Sequence, residues 1–208
     1  MNAVDRNKRW PFRVLLLTAG LALLLLALSL YGLSLSRTDA PDGTFYGTKL
    51  DDPPQVGDLT LTAAGGDRVA LADFRGAWLL VFFGFTSCPD VCPLTMGRLA
   101  ETYSDLGRPE EVQVVMVSVD PATDTPERTQ EYVASFDPSF VGLSGTSAAV
   151  ADAARTFFVG YRQLDGGVSH TDTVALLDPE GRMQLVYTQD KVTQIGRDLQ
   201  VILNREGL

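Results

Sequence analysis

Cys88 and Cys92, in the stretch FTSCPDVCPLTM (85–96), are the only cysteines of the chain, and His170, in GGVSHTDTV (166–174), is its only histidine. These are the residues whose types can do chemistry together. Two thiolates and one imidazole make a soft donor set that suits copper, and Cu(I) is content with three ligands. A closed structural zinc site wants four ligands. The chain has no third cysteine or second histidine, so zinc is disfavoured, with a carboxylate such as Asp90 as the available fourth donor. The same two sulfurs could close a disulfide, or attack and resolve one. A bridge across three intervening residues closes so little chain that it would add little to a domain with an ample core. A reactive pair is the better reading of C-x-x-x-C here.

The elements around the cysteines give them a place. WLLVFFGF (78–85) is a near-continuous apolar run, as expected of a strand covered on both faces. Cys88 follows just after it, at the carboxyl end of a strand, where open α/β sheets gather their ligand sites. PLTMGRLAETYSDLG (93–107) spaces its apolar residues as a helix. Pro89 suits a first helical position, so a helix is expected from there, with Cys88 and Cys92 four apart on one face and both thiols acidified by the helix N-terminus. Downstream, VQVVMVSVD (112–120) reads as a second buried strand, and Thr125-Pro126-Glu127 as a capped helix start. A third strand (140–145), a third helix (147–158), a hairpin around Asp178-Pro179-Glu180-Gly181 and a last helix (192–205) complete the pattern. Two short strands flanking Gly65-Gly66 precede it. The order implies an α/β sandwich with a mixed central sheet and helices on both faces. Met96 is a further soft donor, but one methionine on a helix face is ordinary packing.

The chain carries 17 Lys+Arg against 26 Asp+Glu, a net charge of −9. Its positive charge is concentrated at the start: Arg6, Lys8, Arg9, Arg13 and Arg37 face one acid, Asp5, within residues 1–37. The remainder is strongly acidic, which excludes a nucleic-acid footprint. Val14–Leu35 contains no charged residue. At 1.5 Å per residue it spans about 33 Å as a helix, enough to cross a bilayer core. Basic residues before it and acidic residues after it place 1–13 in the cytoplasm, 14–35 across the membrane and the rest outside. The run is longer than a signal-peptide core and lacks a good cleavage site. Residues 36–58, rich in Asp, Gly and Pro, read as a tether, leaving 59–208 as one domain.

GAWLLVFFGFTSCPDVCPLTM, then VMVSVDPATDTPE, then a single histidine before a strand ending LLDPEGR, resembles the Sco/SenC family, and the likeness covers roughly 45–205. The resemblance implies a thioredoxin-like fold, a membrane anchor, and a role in assembling the binuclear copper centre of cytochrome c oxidase on the periplasmic side. Copper would be the cargo, Cys88, Cys92 and His170 its ligands, and the copper-bearing oxidase subunit the partner. Asp90 and Asp120 match family positions that are not expected ligands. Many members have Asp immediately before the histidine, where this chain has Ser169. If that carboxylate orients the imidazole, its part is missing here or falls to Asp172 or Asp165. The competing function is a thiol–disulfide oxidoreductase that keeps the acceptor's cysteines reduced, which needs only Cys88 and Cys92.

Overall fold

In the computed structural model of the protein the described residues are Gly20, Ala22, 45–164 and 167–206. The expected membrane helix at 14–35 thus lies outside them, apart from Gly20 and Ala22, which are helical and exposed. Among the described residues no helix is long and apolar enough to cross a membrane.

From residue 45 the elements run β1 (Thr48–Lys49), β2 (Thr60–Thr62), β3 (Arg68–Ala70), β4 (Trp78–Gly84), α1 (Val91–Asp105), β5 (Val112–Ser118), α2 (Pro126–Ala134), β6 (Val141–Leu143), α3 (Ser147–Thr156), β7 (Tyr161–Leu164), β8 (Gly167–His170), β9 (Thr173–Leu177), β10 (Met183–Thr188) and α4 (Ile195–Glu206). One six-stranded sheet, ordered β1-β10-β9-β4-β5-β6, forms the centre, with two small hairpins, β2–β3 and β7–β8, beside it. β4, β5 and β6 are mutually parallel, whereas β9 is antiparallel to β4, and β10 and β1 continue antiparallel outward. The expected mixed sheet is therefore present.

All of β4 is buried, as its uninterrupted apolar sequence requires of a strand with both faces covered. It pairs in register with β5 from Trp78↔Val112 to Gly84↔Ser118 and with β9 from Leu79↔Leu177 to Phe82↔Val174. Because β9 runs opposite to β4, its first residues lie beside the last residues of β4. The chain around 170 and the chain around 88 thus reach the same edge of the sheet from opposite directions. α1 packs against α4, and α2 packs on β5 and β6. At Gly142 in β6, a Cβ would stand 2.6 Å from the Thr129 backbone carbon, so α2 lies this close to the sheet only because that position is glycine.

Two stretches depart from the sequence reading. The β7–β8 hairpin, with Tyr161 opposite His170, had no apolar alternation to announce it, and Asp165 and Gly166 between its strands lie outside the described residues. The stretch 45–58, expected to be tether, is folded: Thr48–Lys49 adds an edge strand to β10 and Val56 is in the core. A buried carboxylate holds the start of this segment. Asp198, in the first turn of α4, accepts the backbone N–H groups of Tyr46 (3.1 Å) and Gly47 (3.0 Å) and the Tyr187 hydroxyl (3.0 Å). Aspartate here is anonymous in sequence, since it looks like any acid favoured near a helix N-terminus. Asp198→Ala leaves three donors unsatisfied and is expected to cost roughly 3 kcal/mol. The measurement is denaturant unfolding with limited proteolysis, in which cleavage should begin within 45–58.

Candidate metal centre

Where β4 ends, Cys88 N–H donates to the Phe85 carbonyl at 3.2 Å, turning the chain back over the sheet edge. The helix does not start at Pro89 as expected but at Val91, with Asp90 as the N-cap. Pro93 explains the difference. In a helix starting at Pro89, residue 93 would have to donate to the Pro89 carbonyl, and proline has no N–H and would clash there. With Asp90 as cap, the first required donor is Leu94, whose N–H reaches the Asp90 carbonyl at 3.3 Å, and Pro93 falls among the positions whose N–H is not needed. Cys88 is therefore outside the helix and Cys92 within its first turn. One of the helix's spare donors is used by sulfur: Cys92 N–H points to Cys88 Sγ at 3.4 Å.

The two sulfurs differ in environment. Both are free thiols, Cys88 partly accessible and Cys92 fully buried. Burial first, and then the hydrogen bond with Cys88, push the Cys92 thiol far above its usual range. The expectation that both cysteines would be acidified fails for Cys92, because losing water costs a thiolate more than one helix end returns. Gly84 makes room for this sulfur: a Cβ there would stand 3.2 Å from Cys92 Sγ.

His170, at the end of β8, meets the buried thiol. Its Nδ1 lies 3.0 Å from the Thr171 carbonyl and its Nε2 3.7 Å from Cys92 Sγ. A carbonyl oxygen only accepts, so the ring proton belongs on Nδ1 and the Nε2 lone pair faces sulfur. Phe82 and Phe85 present their rings edge-on to the imidazole, with centroids 6.3 Å and 5.8 Å away, and fix its plane. A metal bonded to thiolate at about 2.3 Å and imidazole at about 2.0 Å holds those atoms roughly 3.5–3.7 Å apart between tetrahedral and trigonal angles. Cys92 and His170 already stand at that separation. As placed, no three His, Cys, Asp or Glu side chains among the described residues are close enough together to hold a metal ion. Cys88 Sγ is engaged with the Cys92 amide and must turn inward to join the other two.

The other sequence candidates fall into place around them. Asp90 is exposed and Met96 is wholly inside the core. Asp120 is buried, with its N–H on Ser118 Oγ at 3.1 Å. Asp172 is half-buried, its Oδ1 has no hydrogen-bond partner, and burial raises its carboxyl.

Sequence reasoning missed the residue that holds the cysteine loop. Asp124, completely buried, accepts Thr86 N–H (2.8 Å), Thr86 Oγ1–H (2.6 Å) and Ser118 Oγ–H (2.7 Å). Arg128 Nε lies 3.6 Å from the same carboxylate and donates to Thr86 Oγ1 at 2.7 Å. Thr125 caps α2 through the Arg128 N–H, as its sequence predicts. The segment SVDPATDTPE is therefore the clamp of the segment FTSCPDVC, joining the end of β5 and the start of α2 to the loop after β4. The only sign of it in the sequence is the co-occurrence of the two motifs.

A mixed sheet of this order, carrying a free thiol pair and an imidazole at the carboxyl edge of its central strand, defines a thioredoxin-like thiol–imidazole domain. The chain belongs to the SCO1/SenC family, whose profile matches residues 48–203. It is 34% identical over 144 residues to the human protein named "Protein SCO1 homolog, mitochondrial", a match covering 65% of this chain and 48% of that one. The chain spans about half the length of the first curated relatives it matches. The apo Sco1 protein of Thermus thermophilus aligns over 79% of this chain and 100% of its own, with 43% identity and a TM-score of 0.70. The structure of Bradyrhizobium japonicum ScoI, solved with copper bound, aligns over 70% and 99%, with 31% identity and a TM-score of 0.61.

Two outcomes test this geometry. Brief alkylation of the reduced protein at neutral pH should modify Cys88 well before Cys92, because Cys92 is both buried and held as thiol; peptide mass spectrometry reads the order. Asp124→Ala, which strands a buried cluster of donors, should lower stability by about 3 kcal/mol and bring the alkylation rates of the two cysteines together.

Proposed function

We propose that this chain is a membrane-anchored copper chaperone that holds copper through Cys88, Cys92 and His170 and delivers it to the copper-bearing subunit of cytochrome c oxidase. The observation that carries the reading is the 3.7 Å approach of His170 Nε2 to Cys92 Sγ, with the ring proton on the opposite nitrogen. A lone pair and a thiol stand at metal-bridging distance, and a second, accessible sulfur follows the same strand, bonded to the Cys92 amide. Family membership, and the copper-bound structure of a relative 31% identical to this chain, support copper as that cargo. The apolar run 14–35 supplies the anchor, with 1–13 on the cytoplasmic side, a tether up to about residue 44, and the folded unit on the periplasmic side. Anchoring confines donor and acceptor to one surface and raises their effective concentration.

Exposure orders the steps. Copper meets Cys88 first, because that sulfur is the accessible one. Cys88 Sγ leaves the Cys92 amide, both cysteines give up their thiol protons, and His170 Nε2 closes the set without a change of tautomer. Loading releases the thiol protons, so apparent affinity rises with pH as long as the cysteines are thiols in the free protein. Release proceeds by ligand exchange onto the acceptor. Thiol–disulfide exchange with an external disulfide, which takes up the two electrons and leaves as two thiolates, would favour release by converting both sulfur ligands to a disulfide at once.

The same asymmetry of the sulfurs favours a second reading. An accessible cysteine that attacks and a buried one that resolves are what a thiol–disulfide oxidoreductase needs. His170 separates the two. Anaerobic titration of the reduced protein with Cu(I) should show about one equivalent bound tightly per chain, with His170→Ala and Cys88→Ser each weakening it by at least tenfold. A pure reductase would be indifferent to His170→Ala. Absence of stoichiometric copper binding to the reduced wild-type chain would overturn the chaperone reading.

A further inference from the structure

The ladder that carries His170 departs from the regular pattern at its open end. β7 and β8 pair from Leu164↔Gly167 to Tyr161↔His170, and the next residues outward, Gly160 and Thr171, stand opposite each other. The Thr171 N–H donates to the Gly160 carbonyl at 2.8 Å. In a regular antiparallel ladder such a pair exchanges two bonds, the second running from the Gly160 N–H to the Thr171 carbonyl. Here that second bond goes elsewhere. The Gly160 N–H donates to the Thr171 hydroxyl at 3.1 Å, and the hydroxyl donates back to the Gly160 carbonyl at 3.3 Å. The side chain of Thr171 thus takes the place of its own carbonyl in the ladder. The carbonyl left over is the one that meets His170 Nδ1 at 3.0 Å. Carbonyls of a ladder lie within it, whereas side chains stand roughly perpendicular to it, so a carbonyl spent on Gly160 would be turned away from the ring. Thr171 is exposed, so its hydroxyl takes no part in the core.

We propose that Thr171 is a positioning residue for His170: its hydroxyl occupies the Gly160 N–H, which leaves the Thr171 carbonyl to hold Nδ1–H and to aim Nε2 at Cys92. The exchange of one acceptor for another decides which imidazole nitrogen is free. With the ring proton fixed on Nδ1, the Nε2 lone pair is the one that stands 3.7 Å from Cys92 Sγ. Without the hydroxyl, the Gly160 N–H is drawn to the Thr171 carbonyl, the regular ladder closes, and the ring loses the partner that sets its tautomer. The consequence for metal binding rests on the copper reading; the choice of tautomer does not.

Two substitutions in the full-length protein test this. Thr171→Val keeps the branched shape of threonine and removes the hydroxyl, whereas Thr171→Ser keeps the hydroxyl. Because the position is exposed, both variants should unfold within about 2 °C of wild type. In the reduced metal-free protein, the nitrogen chemical shifts of the imidazole report which nitrogen carries the proton. They are read at about pH 8.5, where a histidine ring is neutral, and the signal has one source because His170 is the only histidine. Wild type and Thr171→Ser should show the Nδ1–H form, and Thr171→Val should shift toward Nε2–H. Cu(I) affinity, measured by competition with a chromophoric chelator, should fall about tenfold in Thr171→Val and return in Thr171→Ser. A hydroxyl that merely staples the hairpin would leave the proton on Nδ1 in Thr171→Val, and that result would overturn the proposal. So would a serine that fails to restore the tautomer, or unchanged affinity in Thr171→Val beside a wild type that binds copper. If wild type binds no copper, the chaperone reading fails, and the tautomer alone decides the role of Thr171.

Discussion

The antiparallel pairing of β9 on β4 is the constraint on which the rest of this structure depends. With Phe82 opposite Val174, the beginning of one strand is pinned beside the end of the other. Cys88 is delivered by the chain leaving β4, His170 by the chain about to enter β9. A parallel β9 would put the histidine at the far end of the sheet. The pairing is itself enforced by burial: β4 is covered on both faces and β9 is largely buried, and a one-residue slip would turn every side chain of β9 to the wrong face. The imidazole then needs only local fixing, which the Thr171 carbonyl and the rings of Phe82 and Phe85 provide.

The second device is the buried carboxylate of Asp124. A loop that changes direction at a sheet edge has unpaired backbone groups and few apolar contacts, and left to itself would be mobile. Asp124 gathers the Thr86 amide and hydroxyl and the Ser118 hydroxyl around one charge, with Arg128 closing the cluster from the solvent side. A buried charge is tolerable only when its hydrogen bonds are made, so the cluster holds as a unit. The cysteine loop inherits the rigidity of β5 and α2, while Cys88 itself stays partly accessible. A rigid frame thus surrounds one accessible sulfur.

Several features followed from residue types and spacing. The buried strands, the capped start of α2, the β9–β10 hairpin and the mixed α/β architecture are local patterns, and periodicity and turn chemistry report them. The likeness of three ordered motifs to one family also pointed to Cys88, Cys92 and His170 as a group, and the fold brings all three to one edge. The reading was less accurate where two local rules competed. Pro89 is a good helix start in isolation, but Pro93 forbids that register and moves the first turn beyond Cys88. The helix end would acidify both sulfurs, but the burial of Cys92 outweighs it. Residues 45–58 have the composition of a linker, yet Asp198 and β10 recruit them into the fold.

By itself the sequence determined the inventory and its order: two cysteines after a buried strand, one histidine before another, an acidic body behind an apolar run long enough to span a bilayer. These are properties of neighbouring residues, and neighbouring residues carry them. Tertiary structure alone decided which sulfur is accessible, which imidazole nitrogen faces the buried one, and that Asp124 clamps the loop. Each of these depends on water being excluded or a partner being supplied by chain far away in sequence. Desolvation and long-range hydrogen bonding have no local signature, because they come into being only when the sheet closes.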